Sequence, residues 1–417
     1  MTFQYIINKD IGTSICLYYM AAPLMTFEDN FKITLFSQNL NGSRPTITPK
    51  TKIRSLQFFI MLITSMVCVI ALCYSIFVHD MKEGKYAEIC KNGTMVIIAF
   101  VVSCKYAILY FFKHDIIKFM NLINKDYEDI KTEDDRKIVE GYAKKGIWVG
   151  KLWVVLAVTS VAMLPIVVIY QTIQIYLRDK KLVLIPFFDI QYPSPINEYA
   201  TTVVGYIIAT MLTGSFAAIA GSIYIGFDPL GCIFMLHICG QLELNRIRIL
   251  QLFSNNDSDE VIKKRLRDIV NHLQVIYEFA SKNERCFTVV YEMSMKTTTV
   301  IIPITVYQTM LALSEGYLNV EFASVLITCI VHCFLPCYYS NLLMEKGASI
   351  ATAVYSCGWE TRMDTSMRKT FLLMLTQASR SLALRSVFTI LNLNSFAEMC
   401  KQSYGLFNLI MAAIGET

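Results

Sequence analysis

The chain has 417 residues, 54% hydrophobic and 17% charged, with mean hydropathy +0.45 and a formal net charge of +5. Soluble domains run nearer ~45–50% apolar and ~25% charged, so the composition excludes a string of ordinary soluble cores. The basic residues sit in loops between long apolar runs and form no stripe, which excludes a nucleic-acid-binding protein.

Residues 1–54 form a polar first region on the cytoplasmic side. Within it Ile11–Phe27 is marginal for crossing a bilayer, because it contains Gly, Pro and several polar groups. It reads as a helix lying on the membrane surface, and it lacks the basic start and small-residue cleavage pattern of a secretory signal. Four spans are expected within 55–227, each close to the ~17–25 residues a bilayer requires. They are Ser55–Val78, Thr94–Phe112 with Lys105 inside it, Leu152–Leu177 and Tyr199–Phe227. On the fourth span, Gly214, Ala218 and Ser222 form a small-xxx-small ridge suited to close helix contact.

Residues 228–296 are polar but helical in pattern. In "EVIKKRLRDIVNHLQVIYEFASKNERCFTVVYEMSMK" apolar residues recur at three- and four-residue spacing, and Glu292 and Lys296 form an i,i+4 pair. These helices are expected to continue the spans inward as a cytoplasmic anchor layer, with "FSNNDSDE" as its clearest loop. Spans five and six, Thr297–Ser314 and Phe322–Met344, occupy 297–344. A second anchor segment covers 345–385, and a last span with a short outer tail covers 386–417. The expected class is an all-α membrane protein with seven transmembrane helices, its N-terminus cytoplasmic and its C-terminus extracellular.

Lys and Arg mark the cytoplasmic side of a membrane protein. The segments 1–54, 113–146, 228–296 and 344–385 hold 29 of them, and the alternate loops hold six. That orientation is opposite to the one G-protein-coupled receptors take, and neither an Asp-Arg-Tyr nor an Asn-Pro-x-x-Tyr motif is present. Of three N-x-S/T matches only Asn92-Gly93-Thr94 falls on the outer side, so Asn92 is the expected glycosylation site; Asn41 and Asn256 read as chance. Of 13 cysteines only Cys90 lies in an outer loop.

Enzyme chemistry finds no foothold. The five histidines are scattered without H-x-x-x-H or H-E-x-x-H spacing, no phosphate loop is present, and no cofactor is expected. Pro165, Pro303 and Pro336 interrupt three spans without the symmetry of a transporter's paired broken helices.

The last span has two unlike faces. At 100° per residue, Glu398, Gln402, Gly405, Leu409 and Ala412 fall within about 40° of one line. Phe396, Cys400, Tyr404, Phe407, Met411 and Ile414 take the opposite side. Intramembrane polar groups must meet water or protein. Either several copies around an axis line a pore, with Leu409 as the bulky apolar constriction, or the helix packs inside its own bundle.

These residues resemble those of the insect odorant receptors. "VYSCGWE" and then "MRKTFLLMLTQASRSLALRSVFTILNLNSFAEMCKQSYGLFNLI" resemble the family's C-terminal signature, through Trp359, Phe396, Lys401, Ser403, Tyr404 and Phe407. "DPLGCIFMLHICGQLEL" (228–244) resembles the stretch after its fourth span, with Asp228, His237 and Gln241 in matching places. The resemblance implies an odorant-gated, non-selective cation channel in the plasma membrane of an olfactory neuron's dendrite. It implies a hetero-oligomer, a tetramer, formed with a shared co-receptor through the cytoplasmic helices. It also implies one central pore lined by the seventh span, with Glu398, Gln402, Gly405, Leu409 and Ala412 as pore and gate.

Related gustatory receptors end in Thr-Tyr-x₅-Gln-Phe, where this chain reads Gly405-Leu406-Phe407-Asn408. The co-receptor is longer and carries a Gln where Ala412 stands, so the chain resembles a tuning subunit. The alternatives are a gustatory-type channel, or a seven-span metabotropic receptor or transporter.

The family's pocket for a small volatile organic ligand lies in the outer half of the bundle. By position it implies Ile98, Ala99 and Val102 on the second span and Thr159, Met163 and Ile166 on the third. Tyr206, Ile207 and Thr210 follow on the fourth, and Val325 and Thr328 on the sixth. Lys105, inside a span, has no partner that the sequence names.

Overall fold

The computed structural model describes residues 26–45, 51–180, 183–188, 190–254, 257–314, 316, 319–361 and 364–415. The surface helix expected over 11–27 therefore lies outside the described residues except for its last two positions, and the Asn256 sequon lies outside them as well.

The described residues are helical, with one isolated bridge between Arg385 and Ile390. The helices are α1 (Phe27–Asn30), α2 (Lys32–Leu40), α3 (Thr51–Tyr74), α4 (Tyr86–Phe111), α5 (Lys113–Glu128), α6 (Glu133–Asp179), α7 (Ser194–Ala200), α8 (Val203–Leu250), α9 (Asp259–Ser314), α10 (Val320–Ser356), α11 (Thr365–Ala378) and α12 (Leu393–Gly415). Their starts follow from capping chemistry. The Thr132 hydroxyl accepts from the Asp135 N–H at 3.2 Å, and Glu133, Asp134 and Asp135 sit on the positive end of the α6 dipole. Thr202, Asn319 and Asp364 cap α8, α10 and α11 in the same way.

Among the described residues, six helices are long and apolar enough to cross a membrane: the α3 unit from Phe59 to Glu83, α4, α6, α8, α9 and α10. The seventh expected span, α12, has 23 residues. That is about 35 Å, enough to cross, but its polar face sets it apart from the six. The spans run on without a break beyond the length a bilayer needs: α9 alone has 56 residues and α8 has 48. Pro165, Pro229, Pro303 and Pro336 all lie inside continuous helices.

The outer loop expected over 79–93 is mostly helical instead. A π-helical turn, Ser75–Asp80, and the short stretch Met81–Glu83 extend α3, and α4 begins at Tyr86. The reversal needs only Gly84, whose φ of 68° costs a glycine no Cβ clash.

The core lies in the inner layer. Every residue from Gly226 to Leu242 of α8 is buried, so the "DPLGCIFMLHICGQLEL" stretch is the central mast around which α2, α5, α6, α9 and α10 pack. Phe234 stands among Phe27, Phe119, Phe279 and Phe287, with ring centroids between 5.3 and 6.3 Å. Burying such a ring contributes about 1.5–3 kcal/mol. The mast's glycines permit close approach: a Cβ on Gly231 would stand 2.0 Å from the Tyr291 hydroxyl, and one on Gly240 would stand 3.3 Å from the Tyr142 ring.

The small-residue ridge on the fourth span is rotated from its expected register. Ala218 is exposed, and the close approach to α6 is made by Gly221, where a Cβ would lie 2.9 Å from Val161. Ser222 faces α2 instead, its carbonyl accepting from Ser37 Oγ at 2.7 Å.

Candidate functional site

The outer half of the bundle encloses a cavity of about 110 Å³ between α4, α6, α8, α9 and α10. Its walls are mostly apolar: Met95 and Ile98 from α4, Ala157, Val161 and Leu164 from α6, Phe216, Ala217 and Ala220 from α8, and Val325 from α10. Phe188, from the loop before α7, covers it from the outside and is itself buried. The loop is tied down at two points. The Gln191 N–H donates to Ser75 Oγ at 3.1 Å, and the Tyr206 hydroxyl donates to the Ile185 carbonyl at 3.0 Å.

Of the eleven pocket residues expected from position, Ile98, Val325 and Thr328 line this cavity. The other eight do not, and the reason is helix rotation. On α4, Ala99 and Val102 are buried in neighbouring core, while Val101 faces the cavity. On α6 the lining runs through Ala157, Ser160, Val161 and Leu164, whereas Thr159 and Ile166 are exposed and Met163 is half-buried. On α8 the lining begins at Phe216. Tyr206, Ile207 and Thr210 therefore lie nearer the outer end, Tyr206 as a loop tether and Ile207 as an exposed side chain.

Of a polar seam at one end of the cavity, Thr328 was expected and Glu321 and His332 were missed. Glu321, Val325, Thr328 and His332 recur at spacings of four, three and four along α10, and all line the wall. That helical spacing of polar groups across a span is a signal the sequence does carry. Ser160 Oγ lies 3.1 Å from Thr328 Oγ1, bridging α6 and α10. His332 is only 8% exposed and both ring nitrogens lack a hydrogen-bond partner; Nδ1 stands 3.6 Å from Asp228 Oδ2.

Behind His332 lies the partner that the sequence left open. The Lys105 ammonium, wholly buried, meets Asp228 Oδ1 at 2.8 Å and stands 3.8 Å from the centroid of the Tyr224 ring. Such a pair persists inside a bundle only when both charges are met, and the aromatic face adds a cation–π contact. Trp153 stacks on Tyr224 at 5.9 Å and meets His332 edge-on at 5.7 Å.

The expected pore face of α12 is uncovered in the single chain. Glu398, Gln402, Gly405, Leu409 and Ala412 are all exposed, Leu409 to 67%. The packed face is Phe396, Met399, Ser403, Phe407 and Ile410, set against α9 and α10. Phe396 meets Phe334 edge-on at 5.4 Å, and Ser403 donates to the Met399 carbonyl at 2.9 Å. Cys400, Tyr404 and Met411, expected opposite the polar line, are exposed flanks and not packing residues.

The structure places Asn92, the expected glycosylation site, in the interior. The residue lies inside α4 with 0% exposure, and its amide donates to Asp80 Oδ2 at 3.1 Å. A buried, hydrogen-bonded side chain in a helix is no place for a glycan, which needs an accessible asparagine.

On the inner side a second, polar cavity of about 840 Å³ opens between α5, α6, α8 and α9, with Lys125, Asp126, Gln241, Arg248 and His272 on its walls. The signature residue His237 is held there, its Nε2 2.8 Å from Asp126 Oδ2. Trp359 stacks on Phe371 in the same layer.

Comparison with known proteins gives one family and one fold. Residues 85–404 match the profile of the family described as 7tm Odorant receptor. Odorant receptor 22c of Drosophila melanogaster is 25% identical over 204 residues, 46% of this chain and 49% of that one. Odorant receptor 19a of the same species is 32% identical over 95 residues, 22% of this chain and 24% of that one. The chain thus matches half or less of the length of these relatives. Among solved structures, the olfactory receptor OR5 from Machilis hrabei superposes with a TM-score of 0.73 at 15% identity, covering 91% of this chain and 96% of that one. The same receptor in complex with eugenol gives 0.71 at 16% identity, covering 92% and 97%.

Proposed function

The chain belongs to the 7tm odorant receptor family, and from that premise we propose that it is the odorant-tuning subunit of a ligand-gated, non-selective cation channel. It takes a small volatile organic ligand in the outer cavity and opens a pore lined by α12. It acts in a hetero-oligomer, a tetramer, with a co-receptor subunit. The subunits join through the anchor segments 228–296 and 345–385 in the plasma membrane of an olfactory neuron's dendrite. The N-terminus faces the cytoplasm and the C-terminus the outside, as the distribution of basic residues requires.

The observation that carries this reading is the uncovered face of α12. A membrane helix that leaves Glu398, Gln402 and Asn408 without protein cover would be costly against lipid. Water between several copies, or neighbouring subunits, removes that cost. Leu409 is the bulky apolar group on that face and forms the constriction. Coupling between cavity and pore runs through α9, which contributes Thr297, Thr298 and Ile301 to the cavity wall and also packs against α12.

The deciding experiment is current recording from cells expressing this chain with the co-receptor, each alone, and both, during application of an odorant panel. Odorant-evoked cation current that requires both subunits is the expected result. A response that requires G-protein signalling and leaves no ligand-gated conductance would overturn the channel reading.

A further inference from the structure

The outer cavity has a polarity of its own. Thr328 Oγ1 donates to the Ser324 carbonyl at 2.9 Å, so the 3.1 Å contact with Ser160 must use the Ser160 proton. Both hydroxyls have their protons committed within the protein, and each still offers lone pairs. Thr297 Oγ1 likewise donates to the Met293 carbonyl at 2.7 Å. His332 Nδ1 faces the Asp228 carboxylate at 3.6 Å, which favours the tautomer with its proton there and leaves Nε2 as an acceptor. His332 and Glu321 line the cavity, and His332 Nε2 and Glu321 Oε1 are buried with no hydrogen-bond partner. Tyr224 can both donate and accept, so it does not select.

The wall's charges are already balanced. Lys105 meets Asp228, and the Lys91 ammonium lies 3.9 Å from Glu321 Oε2. A cationic ligand would give up its hydration without finding an unmet charge.

Resting on the reading of this cavity as the odorant site, we propose that its ligand class is the neutral hydrogen-bond donor: an alcohol or phenol, recognised through its hydroxyl by the unpartnered His332 Nε2. A buried acceptor left unmet is costly, and a site built around a hydroxyl rejects analogues that lack one. His332 is thus a specificity-determining residue, and its contact with Asp228 places the ligand one side chain away from the buried ion pair.

The test uses the purified full chain in lipid nanodiscs with three probes of matched length: 1-hexanol, hexanal and hexyl methyl ether. Trp153 against Tyr224 and His332 supplies a fluorescence signal, and a thermal shift supplies a second readout. The wild-type chain is expected to bind hexanol about tenfold tighter than the other two. In His332→Phe that preference collapses, with ether affinity kept within about twofold, and in His332→Gln, which retains an acceptor, part of it survives. Equal affinity for all three probes in the wild-type chain overturns the donor class while leaving the cavity as a ligand site. Collapse of the preference in Ser160→Ala but not in His332→Phe overturns the assignment to His332. Binding of none of the three, with no change at Trp153, removes the underlying cavity reading too. The wild-type comparison decides the class even if every variant misfolds.

Discussion

Lys105 of α4 and Asp228 of α8 meet at 2.8 Å in the interior of the bundle, 123 residues apart in sequence. Their contact joins the second span to the head of the central mast and forms one wall behind His332. Removing one partner strands the other charge in a low-dielectric site. Lys105→Met is expected to cost about 3–5 kcal/mol and to abolish surface expression. Lys105→Met with Asp228→Leu is expected to recover most of it, as read by surface labelling and thermal midpoint. A single mutant as stable as the wild-type chain would mean the pair is not held as described.

On the proposed channel reading, the two faces of α12 separate gate from packing. With the co-receptor kept wild type, Leu409→Ala is expected to raise resting current or alter relative cation permeability. Met399→Ala, at a packed position 3% exposed, is expected to lower the amount of protein by about 2–5 kcal/mol of lost stability and to leave selectivity alone. Met411 would be a poor control, since it lies on an exposed flank. Unaltered leak and permeability in Leu409→Ala would move the pore to another face.

Gly231 faces the Tyr291 hydroxyl so closely that an alanine Cβ would stand 2.0 Å from it. Gly231→Ala is expected to destabilise the inner layer by about 1–3 kcal/mol despite alanine's better helix propensity. Adding Tyr291→Phe removes the obstructing oxygen and should restore part of the loss. Non-additivity in this double-mutant cycle is the measurement.

Asn92 is expected to matter for folding and not for glycosylation. Asn92→Ala removes a donor to the buried Asp80 carboxylate, at about 1.5–3 kcal/mol. Its gel mobility, with and without glycosidase, should match that of the wild-type chain. A glycosidase-sensitive shift lost in the mutant would show that the segment reaches the glycosylation machinery before it folds.

His272 gives the inner layer a pH dependence. Burial, the largest of several causes, holds its pKa below the ordinary imidazole value, and its Nδ1 accepts from the Asn245 amide at 3.0 Å. A base whose folded-state pKa is depressed stabilises the fold fully above its ordinary value of about 6.5 and loses that contribution as pH falls through the folded value. The thermal midpoint of the purified chain is therefore expected to drop on acidification, with part of the slope absent in His272→Gln. An identical slope in the mutant would assign the effect to other groups.

The sequence showed what depends on long uniform runs and missed what depends on rotation. The apolar spans and the unbroken length of α8 and α9 follow from apolar length and helical spacing, neither of which needs a partner. The pocket register does not follow. In a span both the lipid-facing and the bundle-facing sides are apolar, so nothing local tells Ser160 from Thr159 or Val101 from Val102. Glu321 and His332 were legible but missed: together with the expected Thr328 they set polar groups at helical spacing, which marks the inward face whatever surrounds them. The burial of Asn92 was not legible for the opposite reason: a three-residue motif carries no information about burial. Lys105 could not be paired because its acid lies two spans further along the chain, 123 residues away.

The unbroken length of α9 has a mechanical consequence. At 56 residues the helix spans about 84 Å, with the outer cavity beside Thr297, Thr298 and Ile301 and Asp259 at its other end. A tilt of about 5° displaces one end relative to the other by about 7 Å, more than one helical turn. On the proposed reading of the cavity as the odorant site, leverage, not the size of the local rearrangement, sets the gain, and a ligand need only nudge the helix where it is held.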